Sequence, residues 1–107
     1  MTRLEKYALI DPIIEGWARS HSLKILDSFA GREERFCYIS RPNGEVFQIA
    51  IQPPIEGMVT VDAGSVETLD DRELSQNWVV PTSDLRTVLD GAVQEVLAWL
   101  DAGERVK

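Results

Sequence analysis

The sequence predicts a single α+β domain over residues 1–107, with a four-stranded antiparallel meander between an N-terminal helix and a long C-terminal helix. Two alternating runs flank Asn43-Gly44, a pair that is typical of tight β-hairpins. Asp11-Pro12 is a helix start signal, because Asp caps the first turn and Pro has no N–H to leave unbonded there. The last third of the chain has apolar residues at helical spacing, namely Leu85, Val88, Leu89, Ala92, Val93, Val96, Leu97 and Leu100.

The first two elements follow from these signals. Helix 1 is predicted from Pro12 to His21, and its apolar stripe consists of Ile13, Ile14, Trp17 and Ala18. Residues 23–30 alternate between apolar and polar side chains, which predicts the first strand. Residues 1–10 are mixed and predict no more than a loose turn.

The hairpin has a predicted register. If Asn43 and Gly44 are the two loop residues, Phe36 lies opposite Ile51, and directly opposed residues share one side of the sheet. We therefore expect an apolar face, packed under both helices, made of Phe36, Tyr38, Phe47, Ile49 and Ile51. The opposite face would be open and more polar, and it would contain Arg35, Cys37, Ile39, Arg41, Val46, Gln48, Ala50 and Gln52.

The later elements are less regular. Residues 58–63 predict the fourth strand, with Val59, Val61 and Ala63 on one face and a bulge at Gly64. Residues 67–76 are interpreted as an acidic loop or short helix, and residues 78–80 as a short extended piece ended by Pro81. Thr82 or Ser83 is expected to cap the last helix, which is expected to end before a glycine at position 103.

Charge and composition narrow the function classes. The formal net charge is −7, which argues against nucleic acid and against anionic membrane surfaces as partners. The same charge permits a cationic protein partner. A single cysteine excludes an internal disulfide, and neither a signal peptide nor a membrane-spanning apolar run is recognisable. A cytoplasmic, bacterial-type protein is the default expectation.

No catalytic, cofactor-binding or metal-binding residues are predicted, so the sequence favours a protein that is not an enzyme. His21 is the only histidine, and at a helix C-terminus it is interpreted as structural. Cys37 is interpreted as a small packing residue, because no helix N-terminus or cationic pocket is predicted beside it. Neither a phosphate-binding glycine loop nor calcium-loop spacing occurs.

Candidate protein-binding residues come from three features. Segment 67–73 contains carboxylates that are either a solvated loop or an acidic docking patch. The open hairpin face offers Ile39 and Gln48. Tryptophan is enriched at binding hot spots, which adds two further candidates. The full set is Glu67, Asp70, Asp71, Glu73, Ile39, Gln48, Trp78 and Trp99.

This layout resembles small acidic bacterial accessory proteins, such as secretion chaperones and toxin-neutralising immunity proteins. It shares their size, acidity, N-terminal helix, meander and amphipathic C-terminal helix, but it lacks the second hairpin expected of the chaperones. The resemblance implies a non-enzymatic protein-binding module. Two alternatives remain: a homodimeric structural domain, and a small enzyme or ligand carrier using the helix–sheet seam near His21 and Tyr38.

Overall fold

The computed structural model describes residues 7–29, 32–69 and 73–105 of the chain. It contains a five-stranded antiparallel sheet, in the order β1-β2-β3-β4-β5, and two α-helices. The α+β class with a helix at each end is therefore confirmed, whereas the predicted number of strands is wrong. The elements in chain order are α1 (Asp11–Ser20), β1 (Leu26–Phe29), β2 (Arg32–Ser40), β3 (Val46–Ile51), β4 (Met58–Glu67), β5 (Ser75–Pro81) and α2 (Leu85–Arg105).

The additional strand is β5, which was expected to be only a short extended piece. It pairs with β4 over seven consecutive positions, from Met58 opposite Pro81 to Gly64 opposite Ser75. Pro81 does not interrupt this pairing because it is the last residue of the strand, where a missing N–H costs least. Trp78 lies opposite Val61, and packing of these side chains towards the core explains why the segment forms a strand.

The loop of the β2–β3 hairpin is one residue longer than predicted. The backbone N–H of Arg41 donates to the carbonyl of Glu45 at 3.0 Å, and the N–H of Gly44 donates to the carbonyl of Arg41 at 3.0 Å. Pro42, Asn43 and Gly44 therefore form a three-residue loop, and of the three only Gly44 has positive φ, at 98°. This is the type I turn followed by a left-handed glycine, in which Pro fits the second position.

The two-residue turn with positive φ at both central residues occurs instead between β3 and β4. Glu56 and Gly57 have φ of 52° and 80°, and Ile55 and Met58 exchange hydrogen bonds of 2.9 and 3.0 Å across them. These values are typical of a type I′ turn, which normally favours Asn-Gly. The two-residue turn predicted at Asn43-Gly44 is therefore found at Glu56-Gly57 instead.

The longer loop shifts the register of the hairpin by one residue. Cys37 lies opposite Ile49 and Ile39 opposite Phe47, so the β2 residues expected on the open face point towards the helices. Cys37 is fully buried and Ile39 packs against the core. Tyr38, expected in the core, is 44% exposed, and Phe36 shares its side of the strand. The predicted faces of β3 and β4 are correct, because Phe47, Ile49 and Val61 are fully buried.

Both helices cover this inner face of the sheet. The core combines apolar residues of α1 and α2 with those of β2, β3 and β4, and the turn before α1 adds Tyr7 and Ile10. The expected stripes of both helices supply most of the helical part: Ile14, Trp17, Ala18, Leu85, Leu89, Ala92, Val93, Val96 and Leu100.

The ends of the helices differ from the prediction. Asp11 is the first residue of α1 and not its N-cap, which is Ile10. At the other end, Ser22 adopts the left-handed conformation with φ of 56°, and the N–H of Leu23 donates to the carbonyl of Ala18 at 2.8 Å. This is the hydrogen-bond pattern of a Schellman motif. The glycine at position 103 does not end α2, which continues to Arg105.

A buried ion pair joins α1 to β2. The guanidinium of Arg35 donates to both carboxylate oxygens of Asp11, at 2.9 and 3.2 Å, and to Oε2 of Glu33 at 3.4 Å. Its Cζ lies 4.3 Å from the centre of the Tyr7 ring, and the Tyr7 hydroxyl donates to the carbonyl of Ile51 at 2.8 Å. Burial raises the pKa of Tyr7 to about 12, against an opposing effect of the Arg35 charge. The hydrogen bond to Asp11 raises the pKa of Arg35 despite its burial.

We expect Asp11→Ala to lower the free energy of unfolding by about 2–4 kcal/mol, because it leaves the buried Arg35 charge without its bidentate partner. The matched control is Asp101→Ala, which removes an exposed partner 3.0 Å from Arg41 and should cost less than about 1 kcal/mol. Urea denaturation at neutral pH measures both. Equal losses in the two variants would contradict the importance assigned to the Asp11–Arg35 pair.

The thiol of Cys37 reports the hairpin register. Burial raises its pKa to about 12, so we expect a thiol reagent to modify it only as fast as the protein unfolds. In the predicted register Cys37 would lie on the open face and react quickly. A control protein with Cys37→Ala and Tyr38→Cys should react rapidly while folded, and fast labelling of native Cys37 would contradict the register described here.

Candidate protein-binding surface

The face of the sheet opposite the helices is the open face, and among the described residues no helix packs on it. Exposed apolar side chains on this face include Tyr38 on β2, Met58 on β4 and Val79 on β5. Their exposed fractions are 44%, 39% and 59%. The polar and small residues between them are Ser40, Gln48, Ala50, Thr60, Asp62, Gly64, Ser75 and Asn77.

The aromatic part of the open face is ordered by an edge-to-face contact. The rings of Phe36 and Tyr38 have centroids 5.7 Å apart and planes at 82°. Phe36 is only 4% exposed, although it lies outside the main core. Tyr38 is therefore a supported aromatic side chain whose surface is still accessible, as is typical of residues that anchor protein interfaces.

A polar depression of about 430 Å³ adjoins these residues between β3, β4 and β5. Asp62 lies in it and accepts a hydrogen bond from Nε2 of Gln52 at 3.4 Å. The other residues that line it are Gln48, Ala63, Gly64, Ser75, Gln76 and Asn77. The open face thus combines apolar contact area with amide groups and one carboxylate.

The predicted acidic segment lies beside the open face and is held at both ends. Oε2 of the buried Glu45 accepts a hydrogen bond from the backbone N–H of Leu69 at 3.2 Å. Ser65 binds the backbone of Leu74, with its N–H donating at 2.9 Å and its hydroxyl accepting at 3.2 Å. Within the segment, the side chains of Glu67 and Glu73 are exposed. The other two predicted carboxylates, Asp70 and Asp71, lie outside the described residues.

Three of the predicted binding residues lie on the other side of the sheet. Ile39 faces the helices because of the register shift, and Trp78 packs inward opposite Val61. Trp99 stacks on Phe47 with ring centroids 5.5 Å apart. All three are half-buried and belong to the packing of the core. Gln48 does lie on the open face, as expected.

His21 has a structural environment. Its Nε2 lies 2.9 Å from Oδ1 of Asp90, so the end of α1 is joined to α2. Arg86 reinforces this contact, binding Asp90 at 3.2 Å and the hydroxyl of Ser20 at 3.0 Å. Tyr38 is on the opposite face of the sheet, so no seam contains both His21 and Tyr38 as the ligand-carrier alternative requires.

Charge is unevenly distributed along the chain, and the predicted binding residues do not reflect this distribution. Residues 42–85, which form β3, β4 and β5, contain eight carboxylates and one basic residue, Arg72. The rest of the chain contains ten acidic and ten basic residues. The net charge of the segment 42–85, which includes one half of the sheet, therefore equals the net charge of −7 of the whole chain, and it can be counted from the sequence alone.

Other kinds of site receive no support from the described part of the chain. Within residues 7–29, 32–69 and 73–105, no three His, Cys, Asp or Glu side chains are grouped closely enough to hold a metal ion. The helices in these ranges are also too short or too polar to cross a membrane.

Comparisons with protein-family models, with curated proteins and with solved structures found no match to this chain.

The contact between His21 and Asp90 has a consequence at acidic pH. The hydrogen bond from His21 lowers the pKa of Asp90, and Arg86 contributes in the same direction. A carboxyl whose pKa is lower in the folded state stabilises the fold above its unfolded pKa of about 3.9, and this contribution is lost as pH falls through the lower folded value.

We therefore expect Asp90→Asn to make the free energy of unfolding less dependent on pH below about pH 4. His21→Gln should reduce the dependence in the same way, because it removes the largest cause of the shift. Urea denaturation at several pH values, applied to both variants and to the double variant, measures the effect. Additive effects of the two substitutions would contradict a shared origin.

Proposed function

We propose that this protein is a small non-enzymatic accessory module that binds another protein through the open face of its sheet. The observation that carries the proposal is the uncovered set of Tyr38, Met58 and Val79, which lies in the acidic half of the sheet or beside it. Accessible aromatic and apolar side chains within a polar surround are the usual composition of a protein interface.

The charge of this half indicates the kind of partner. Asp62 lies among the contact residues, and Glu67 and Glu73 are exposed at one end of the face. Opposite charge accelerates the encounter of two proteins and disfavours wrong partners. We therefore propose a cationic partner, and neutralisation of a cationic toxin is one function of this kind.

A homodimeric structural domain is the second candidate. The same three apolar side chains would then meet their copies across a two-fold axis. This arrangement would bring two segments of net charge −7 together, which opposes association. We accordingly place a different, cationic protein first.

Capture from a lysate of the source cells, followed by mass spectrometry, tests the proposal. The immobilised protein should retain a partner that Tyr38→Lys and Val79→Lys each weaken by about 1–2 kcal/mol, or roughly five- to thirtyfold. The matched control is Leu9→Lys, because Leu9 is an apolar residue that is 69% exposed in the turn before α1. This variant should retain the partner like the wild type.

Two results would contradict the proposal. Capture that is unchanged in both open-face variants, with the fold intact by circular dichroism, would move the binding surface elsewhere. A dimer detected by light scattering at micromolar concentration, and dissociated by Tyr38→Lys, would assign the open face to a second copy of the chain.

A further inference from the structure

The two edge strands of the sheet are protected to different extents. The edge strand β1 has four residues, contains Asp27, and has an irregular register against β2 between Leu26 and Ser28. The edge strand β5 has seven residues, no charged side chain and an uninterrupted register against β4. Short length, charges and bulges are the means by which sheets prevent an edge from pairing with another chain. Only β1 has them.

The hydrogen bonds at the two ends of the β4–β5 ladder show which groups of β5 point outwards. The N–H of Thr82 donates to the carbonyl of Gly57 at 3.1 Å, and the N–H of Ser65 donates to the carbonyl of Leu74 at 2.9 Å. Hydrogen-bonded and non-hydrogen-bonded pairs alternate in an antiparallel ladder. Counting inward from both ends gives the same result: the backbone groups of Ser75, Asn77 and Val79 point away from β4.

These three residues form a regular site for an added strand. Their side chains lie on the open face, so their backbone groups form the outer rim of that face. Pro81, which has no N–H, is the next outward position and marks one end of the row. The geometry matches recognition by β-strand addition, in which main-chain hydrogen bonds provide affinity and alternate side chains provide specificity.

The charges around β5 are of one sign. Asp62 lies directly opposite Asn77 on the neighbouring strand, and Glu73 and Asp84 lie just before and just after β5. Among the described residues between Pro42 and Leu85 there is no lysine or arginine. An added strand with cationic side chains on the open face would therefore approach carboxylates without meeting a like charge.

We propose that β5 accepts an extended segment of the partner protein as a sixth strand, and that this segment carries lysine or arginine at alternate positions. The inference rests on the proposed function and specifies how the partner binds. The added residues on the open face would lie beside Asn77 and Val79, with their cationic ends near Asp62. Those on the inner side would lie beside Trp78 and Val80 and are expected to be apolar.

The test is an amide NMR titration of the isotope-labelled protein with a short synthetic peptide that alternates lysine and valine. We expect the amide signals of Ser75, Asn77 and Val79 to shift, and their hydrogen exchange to slow by about tenfold or more when the peptide is bound. A peptide with glutamate in place of lysine should bind at least about tenfold more weakly, because like charges are then brought together. The interaction with the lysine peptide should weaken as salt is added.

A third peptide separates strand addition from nonspecific attraction. It keeps the lysines and valines but has methylated backbone nitrogens along one edge, so it cannot complete the hydrogen-bonded row. This peptide should cause no protection at β5. Val79→Pro removes one outward N–H that β4 does not use, so it should weaken peptide binding and reduce the protection at Asn77 while leaving the β4–β5 ladder intact.

Four results would overturn the inference. The first is absence of binding by the lysine peptide. The second is equal protection with the methylated peptide. The third is a set of shifts confined to the middle of the open face, around Tyr38 and Thr60, which would leave the proposed function intact while excluding the strand. The fourth is concentration-dependent protection of β5 amides without any peptide, which would show that a second copy occupies the edge.

Discussion

The buried position of Arg35 determines which side of β2 faces the helices. Its guanidinium lies under the Tyr7 ring and is bound by Asp11 at the start of α1, so the side chain must point inwards. Because strand residues alternate, Cys37 and Ile39 then point inwards as well, and Tyr38 points out. A guanidinium placed on the other face would leave Asp11 without this partner and α1 without its polar attachment to the sheet. The accessible surface of the protein is thus set by a charged group inside it.

The length of the β2–β3 loop also determines which face of β2 points towards the helices, because it sets which residues of β2 and β3 lie opposite each other. A two-residue Asn-Gly turn would place Phe36 opposite Ile51, whereas the three-residue loop places Arg35 there. One residue of slip exchanges the two faces of a strand. Asn43-Gly44 favours the shorter turn, whereas the preceding Pro42 suits the type I turn that the structure contains.

The sequence predicts an element correctly where its pattern of apolar residues allows only one buried face. The stripe of α2 and the alternation of Val59 and Val61 have a single consistent interpretation, and both are correct. The run from Phe36 to Ile39 alternates two aromatic residues with two others that can also be buried, so periodicity alone does not choose its face. The choice depends on the length of the loop at Pro42-Asn43-Gly44 and on the long-range contact between Arg35 and Asp11, and the second of these is not contained in any local pattern.

The candidate binding residues also depend on burial, which residue type alone does not reveal. Trp78 and Trp99 were selected by residue type, but a half-buried tryptophan that completes a core is indistinguishable by type from one that binds a partner. Gln48 was selected by strand alternation on β3, where the face was correctly identified. The excess of carboxylates in residues 42–85 can be counted in the sequence. The strand order adds that Asp62 lies opposite Asn77, on the same face of the sheet as Gln48.

Charged and polar side-chain contacts between distant elements lie largely outside the acidic segment 42–85. The ion pairs of Arg35 with Asp11 and of Arg41 with Asp101, and the hydrogen bond between His21 and Asp90, all join residues outside the segment 42–85. Each of these contacts connects elements that are distant in sequence. Among the described carboxylates, Glu67 and Glu73 are exposed and Asp62 is half-buried beside β5, which is the placement that the proposed binding of a cationic segment uses.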